Sequence, residues 1–222
     1  ISRKRWPVMM MYQPDAIAAY EVAGQTFLVT ANEGDAKDYE GFSEETRVKD
    51  LSLDPTTYPN AAELQKSENL GRLKTTTTMG DYDGDGDTDV IYAYGGRSFS
   101  IWSQDGSLMF DSANGFEKII ASRNPEAFNA NGTKFDDRSD DKGPEPEALA
   151  VGQIGERTYA FIGMERNNAI FTYDITNPAD PFMTDYFMPA SEHNSPEGLE
   201  FIPAFESPNG RDLLVVPYEM TG

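Results

Sequence analysis

Pro146-Glu147-Ala-Leu-Ala-Val-Gly, followed after a turn by Thr158-Tyr-Ala-Phe-Ile-Gly-Met-Glu165, decides the fold of this chain. It reads as proline, acid, strand, glycine-containing turn, apolar strand, glutamate. The same order occurs in Pro14-Asp15-Ala-Ile-Ala-Ala-Tyr with Thr26-Phe-Leu-Val-Thr-Ala-Asn-Glu33. It occurs again in Pro196-Glu197-Gly-Leu-Glu-Phe-Ile with Asp212-Leu-Leu-Val-Val-Pro-Tyr-Glu219. The proline-to-glutamate spacings are 19, 19 and 23 residues. A unit that recurs in fixed order marks a repeat architecture. The second unit runs on through Ala169-Ile-Phe-Thr-Tyr-Asp-Ile-Thr-Asn-Pro and Pro181-Phe-Met-Thr-Asp-Tyr. That makes four strands in about 45 residues, the size of one propeller blade.

Elsewhere, short apolar runs bounded by Gly, Pro, Asn and Asp dominate, the pattern of strands and turns. The candidate strands are 16–22, 26–31, 89–94, 98–102, 108–111, 148–152, 158–164, 169–174, 182–186, 199–202 and 213–217. Helical patterns are short: 60–66, 116–121 and 125–129. Residues 32–75 are polar and irregular, and read as a long functional or mobile insertion. The expectation is an all-β fold, a β-propeller with about four to five blades' worth of strands, as a partial ring or excised fragment. It forms one domain over residues 1–222. An ordinary β-sandwich with coincidental similarity between units is the competing architecture.

Composition narrows the function. With 222 residues, 38% of them hydrophobic, the chain can bury a core without staples. There is no cysteine, which excludes disulfides and thiolate metal sites. The net charge of −20 repels phosphate backbones and anionic membranes, so nucleic acid is excluded as a partner. The same charge suits divalent cations and a salty or extracellular medium. No apolar run reaches membrane-spanning length, so no direct membrane insertion is expected. The chain opens on Ile1-Ser-Arg-Lys-Arg and stops at Glu219-Met-Thr-Gly222. Neither reads as a natural boundary, and the expectation is a fragment of a longer protein.

Residues 81–89, Asp-Tyr-Asp-Gly-Asp-Gly-Asp-Thr-Asp, read as a calcium loop. Asp81, Asp83 and Asp85 take positions 1, 3 and 5 of the Asp-x-Asp-x-Asp-Gly pattern, and Gly86 makes the turn at position 6. The Asp87 carbonyl fits position 7 and Asp89 position 9. Position 12 is Tyr92 in place of a bidentate Glu, so this is the loop alone, placed before a strand between blade strands. A solvated acidic turn is the alternative. The expected cofactor is Ca2+, in a structural role.

The repeat also generates two rows of acids. Asp15, Glu147 and Glu197 open first strands, which line the channel of a propeller, and Glu33, Glu165 and Glu219 end second strands. Such a ring is costly unless it binds metal or is protonated. Asn32, Asp35, Arg97, Asp140, Asp141, Lys142, Glu145, Arg166, His193 and Asn194 are candidate neighbours. Glu147, Glu165, Glu197, Glu33, Arg97 and Arg166 are the candidates for catalysis, since carboxylates, a metal and Arg suit phosphoester hydrolysis. Calcium-dependent propeller phosphatases and phytases are broadly similar in this respect. The other reading, that these acids cap turns and pair with local Arg and Lys, is favoured for repeat-encoded residues. Gly95-Gly96, between two candidate strands, reads as a hairpin turn and not a phosphate cradle.

Several stretches resemble one family. Asn32-Glu-Gly-Asp35, Gly95-Gly-Arg-Ser-Phe-Ser-Ile-Trp102, Phe135-Asp-Asp-Arg-Ser-Asp-Asp-Lys-Gly-Pro-Glu-Pro-Glu147 and Ser195-Pro-Glu-Gly-Leu199 are similar to the choice-of-anchor I domain. Its members are also labelled mesenchyme-specific cell surface glycoprotein-like or alkaline phosphatase-like. The resemblance covers nearly the whole chain, and the family domain is longer. It implies a secreted or surface-anchored bacterial β-propeller. The expected function is a calcium-binding extracellular or cell-surface module that binds or adheres to a surface or extracellular ligand. The alternative is a metal-dependent phosphoester hydrolase acting through the channel-mouth acids.

Overall fold

The computed structural model describes residues 4–190 and 193–221; the end residues 1–3 and 222 quoted above lie outside them. The first repeat unit forms β1 (Ala16–Val22) and β2 (Gln25–Asn32), an antiparallel hairpin in which Val22 pairs with Gln25. Its two-residue turn holds Ala23 and Gly24 at φ +51° and +75°, the left-handed geometry that matches strand twist in tight hairpins. β3 (Ser98–Ser103) and β4 (Leu108–Asp111) complete a four-stranded sheet in the order β1-β2-β3-β4. Helix α1 (Gly115–Arg123) follows.

The second unit repeats this plan. β5 (Pro146–Ile154), β6 (Arg157–Met164), β7 (Ile170–Asp174) and β8 (Phe182–Phe187) form an antiparallel meander in chain order. The third unit gives a two-stranded sheet, β9 (Glu200–Ile202) and β10 (Leu213–Val215). Its longer proline-to-glutamate spacing appears as the longer connection at 203–212.

Alternation along β6 explains how the units stack. Ala160, Ile162 and Met164 enter the core shared with the first sheet and α1. Phe161 points the other way, stacked on Phe201 of β9 with ring centroids 5.8 Å apart. A strand buried on both faces has to be apolar throughout, and Ala-Phe-Ile-Gly-Met is. The main core is centred on aromatic rings: Phe99 of β3 lies 4.7 Å from Tyr173 of β7, and Phe116 of α1 lies 4.7 Å from Phe171 of β7. The expected all-β class is what the chain adopts. Of its sixteen described strands, eight lie in the two four-stranded sheets, and none of the sheets closes on itself as a barrel.

The insertion differs from the expectation in extent and nature. The excursion between β2 and β3 spans residues 33–97, beyond the 32–75 read from polarity, and has its own apolar core of Val48, Leu53, Tyr58, Leu64, Leu70, Leu73, Ile91 and Ala93. It contains the short helix Ala61–Leu64 and the pairing of Glu45–Arg47 with Lys74–Thr76. Ile91–Ala93 pairs in parallel with Val8–Met10, so residues 81–89 lie on the excursion and not between blade strands. Gly95-Gly96 is therefore no hairpin turn. The chain leaves the first sheet at Gly34 and returns at Gly95, and there the two backbones touch. A Cβ on Gly95 would overlap the Glu33 carbonyl oxygen, and one on Gly34 the Gly95 amide. Both glycines also have φ in the left-handed region, +81° and +71°. No helix among the described residues is long and apolar enough to cross a membrane.

Two outcomes follow from this packing. Phe99→Ala empties a fully buried position between both sheets and α1, and is expected to lower unfolding free energy by about 3–5 kcal/mol in urea titration. Gly95→Ala adds a side chain where the excursion's two ends meet, and is expected to cost about 2 kcal/mol or more. A Gly95→Ala protein as stable as the wild type would show that this contact does not hold the excursion.

Candidate functional site

Two groupings of carboxylates are present, one on the excursion and one where the first and second sheets meet. In the first, the Asp81 side chain accepts the backbone N–H of Gly84 at 2.7 Å and of Gly86 at 3.0 Å. Asp83 accepts from Asp85 N–H at 3.2 Å, Asp85 from Asp87 N–H at 3.0 Å, and Asp89 from Tyr82 N–H at 2.7 Å. These bonds curl the loop, and Gly84 and Gly86 supply the left-handed φ that the curl needs. Carboxylate oxygens of Asp81, Asp83 and Asp89 come within 4.8 Å of one another, a donor set of hard oxygens suited to Ca2+. Asp85 and Asp87 stand outside that group. Burial, with the charges of Asp85, Asp54, Asp89 and Asp83, pushes the Asp87 carboxyl up. Asp54, which sequence reasoning missed, arrives by a non-local contact: its N–H donates to the Thr88 carbonyl at 3.1 Å.

The second grouping joins Glu33, just after β2, with Glu147 on β5 and Glu165, just after β6. Their carboxylate oxygens also lie within 4.8 Å of one another. β5 packs against β1 and β2, which brings the two sheets' acids together. A register shift between Pro146 and Ala148 leaves Glu147 in a bulge, a device that re-aims one side chain in a regular strand. Its Oε2 is shielded from solvent and has no hydrogen-bond partner among the described residues. Burial, with the charges of Glu165, Glu33 and Asp15, pushes Glu147 up to about 8. Burial, with Glu145 and Glu33 and against Arg166, pushes Glu165 up to about 7. Burial also raises Glu33, although Lys142 pulls it down.

Beside these acids lies Glu145, fully buried. It receives Arg138 Nε at 2.6 Å, Arg166 Nε at 3.2 Å and Lys142 Nζ at 3.4 Å. Burial alone would raise it, but Lys142, Arg138 and Arg166 hold Glu145 below the ordinary carboxylate range. Lys142 also pairs with Glu33, and with Asp35 at 3.3 Å, while Arg138 reaches Asp141 at 2.9 Å. Arg138, Asp141, Lys142, Arg166, Asp35 and Tyr94 line part of a polar cavity of about 300 Å³. Arg138 was not singled out from sequence, although it stands in the Phe135–Glu147 stretch; only the fold shows which acid it serves.

The remaining candidates are structural or lie apart. Arg97 donates to Glu117 at 3.0 Å and to the carbonyls of Ser139 and Asp141 at 2.8 and 2.7 Å, clamping that loop. Asn32, fully buried, donates to Ser98 and Ser100. Asp140 pairs with Arg47 and Arg72. Asp15 is exposed and acts on Glu147 by charge alone. Glu197 and Glu219 are exposed on the third unit and do not join the other glutamates. His193 stacks on Tyr218 at 5.0 Å, and Asn194 accepts from Asn168 at 3.1 Å.

Two known proteins are similar to this chain in sequence. Gigasin-3a of Magallana gigas is 31% identical, over 72% of this chain and 64% of its own length. The mesenchyme-specific cell surface glycoprotein of Strongylocentrotus purpuratus is 27% identical, over 73% of this chain and 25% of its own length. The chain thus spans less than two thirds of the first relative and a quarter of the second. No solved structure matches it. The family model of the choice-of-anchor I domain matches residues 1–178, and the chain belongs to that family.

Proposed function

We propose that this chain is an extracellular or cell-surface binding module, built from propeller-type blades and stiffened by Ca2+ in the loop at 81–89. The observation that carries the calcium assignment is the convergence of Asp81, Asp83 and Asp89 around a loop curled by its own backbone N–H groups. Five aspartates in nine residues repel one another, and a divalent cation removes that repulsion. The surface assignment is supported by membership of the choice-of-anchor I family and by the name of its cell surface glycoprotein relative. The side chains support binding over phosphoester hydrolysis. Arg97 and Arg166, the cations a phosphate would need, are each engaged by protein groups, and Glu197 is exposed and outside the group of three glutamates. The partner class is a surface or extracellular ligand without phosphate-backbone character, given the charge of −20.

Calcium is expected to raise the melting temperature, by an amount equivalent to about 2.7 kcal/mol at 100 times the dissociation constant. Chelator should reverse the shift, and Asp81→Ala and Asp83→Ala should abolish it. A wild-type protein whose melting ignores both calcium and chelator, with both variants silent, would remove calcium from the proposal. Turnover of a generic phosphoester that Glu165→Gln abolishes would instead favour the hydrolase.

A further inference from the structure

We propose that the seam between the first and second sheets is a proton-operated latch, in which Glu33, Glu147 and Glu165 hold the sheets together while they share protons and loosen them when all three are ionised. The geometry comes first. The three carboxylates approach within 4.8 Å from two different sheets, and one oxygen of Glu147 has neither water access nor a hydrogen-bond partner among the described residues. A protonated carboxyl in such a cluster donates a hydrogen bond to its neighbour. An ionised one adds a like charge across the sheet–sheet contact.

Every element packed on the cluster contributes a charge to the balance. Asp15 before β1, and Glu33 and Asp35 after β2, come from the first sheet. Arg138, Lys142 and Glu145 come from the segment leading into β5, Arg138 being held mainly by Glu145 and Asp141 while it also faces Glu165, and Arg166 follows Glu165. The cations do not neutralise the three acids. Lys142 is shared among Glu33, Asp35 and Glu145, and Arg166 between Glu145 and Glu165. Glu147 has no basic partner among the described ion pairs, and is the group pushed furthest, to about 8.

The direction follows by linkage. The folded chain holds a proton on Glu147 up to about pH 8 and on Glu165 up to about pH 7, whereas their ordinary value is 4.5. Both therefore contribute most below their unfolded pKa. The contribution falls as pH rises through these folded values, and no further loss follows above about 8. The latch is closed in acid and loosened in mildly alkaline medium.

The test is melting of the whole chain in metal-free buffer at steps from pH 5 to 9, for wild type, Asp81→Ala, Glu147→Gln and Glu165→Gln, with and without added Mg2+ or Ca2+. The amide keeps the shape and the hydrogen-bonding of a protonated carboxyl without titrating. The expected result is a wild-type melting temperature that falls toward pH 8, a flatter profile in Glu147→Gln, and a variant that melts above the wild type at pH 8. Parallel profiles, or a variant less stable than the wild type at pH 8, would overturn the latch. So would an Asp81→Ala profile flattened by Mg2+ or Ca2+, because with the loop site removed the glutamate cluster would then be taking a cation in place of protons. A readout that needs no variant is the ¹³C shift of the glutamate carboxyls across the same titration. A buried carboxyl with its midpoint near 8 supports the latch, and glutamates that all titrate near their ordinary value sink it.

Discussion

Glu145 is the group on which the centre of the molecule depends. A carboxylate without solvent contact is expensive unless paired and fully hydrogen-bonded. Here three cations converge on it: Arg138 from seven residues upstream, Lys142 from its own turn and Arg166 from beyond β6. Each then reaches a second acid, Asp141, Glu33 or Glu165. One buried charge thus ties the 136–145 loop, the exit of β2 and the exit of β6 together. Removing Glu145 would leave three cations facing one another, and removing one cation would leave a buried charge under-compensated. In either direction the cost is several times that of a surface ion pair. The same segment adopts backbone conformations that side chains rarely favour, with φ of +56° at Glu145 and +59° at Asp136.

The same network accounts for the unequal behaviour of the neighbouring glutamates. Two like charges within 4.8 Å repel by about 3–4 kcal/mol at an effective dielectric of about 20. Glu145 escapes because cations surround it. Glu147 does not, because Lys142 and Arg166 are already held by Glu145, Glu33 and Glu165. Positive charge is the scarce quantity in a chain with 18 basic and 38 acidic residues. Its placement decides which acids are ionised.

Local signals carried much of this into the sequence, and non-local ones did not. The hairpins of the first two units were legible because strand alternation and a left-handed turn are encoded within a few residues of each other, as at Ala23-Gly24 and Gly155. The grouping of Glu33, Glu147 and Glu165 followed from the repeat, since equivalent places on stacked sheets lie near one another. The third unit's Glu197 and Glu219 did not follow, because its hairpin is shorter-stranded and longer-looped. The extent of the excursion was hidden for another reason. Ile91–Ala93 finds its partner in Val8–Met10, a parallel pairing across more than eighty residues that no local pattern announces. Gly95-Gly96 has the same signature whether it turns a hairpin or lets two backbones touch, and only the position of Gly34 decides between them.

The separation of the two acidic groupings bears on how the module answers its surroundings. The loop at 81–89 is exposed, sits on an excursion with its own core, and is anchored to that core through Leu53 and Thr88. A cation bound there would stiffen the excursion, and its influence would reach the sheets through the contact of Gly34 with Gly95. The buried glutamates instead sit directly on the sheet–sheet contact, one residue from Gly34 in the case of Glu33. That residue is common to both systems. Its carboxylate joins the seam, and its carbonyl forms one side of the contact at which the excursion leaves the sheet. A change in charge at the seam and a change in order of the excursion therefore act on the same turn of chain. The two are coupled to the extent that Glu33 moves as one unit.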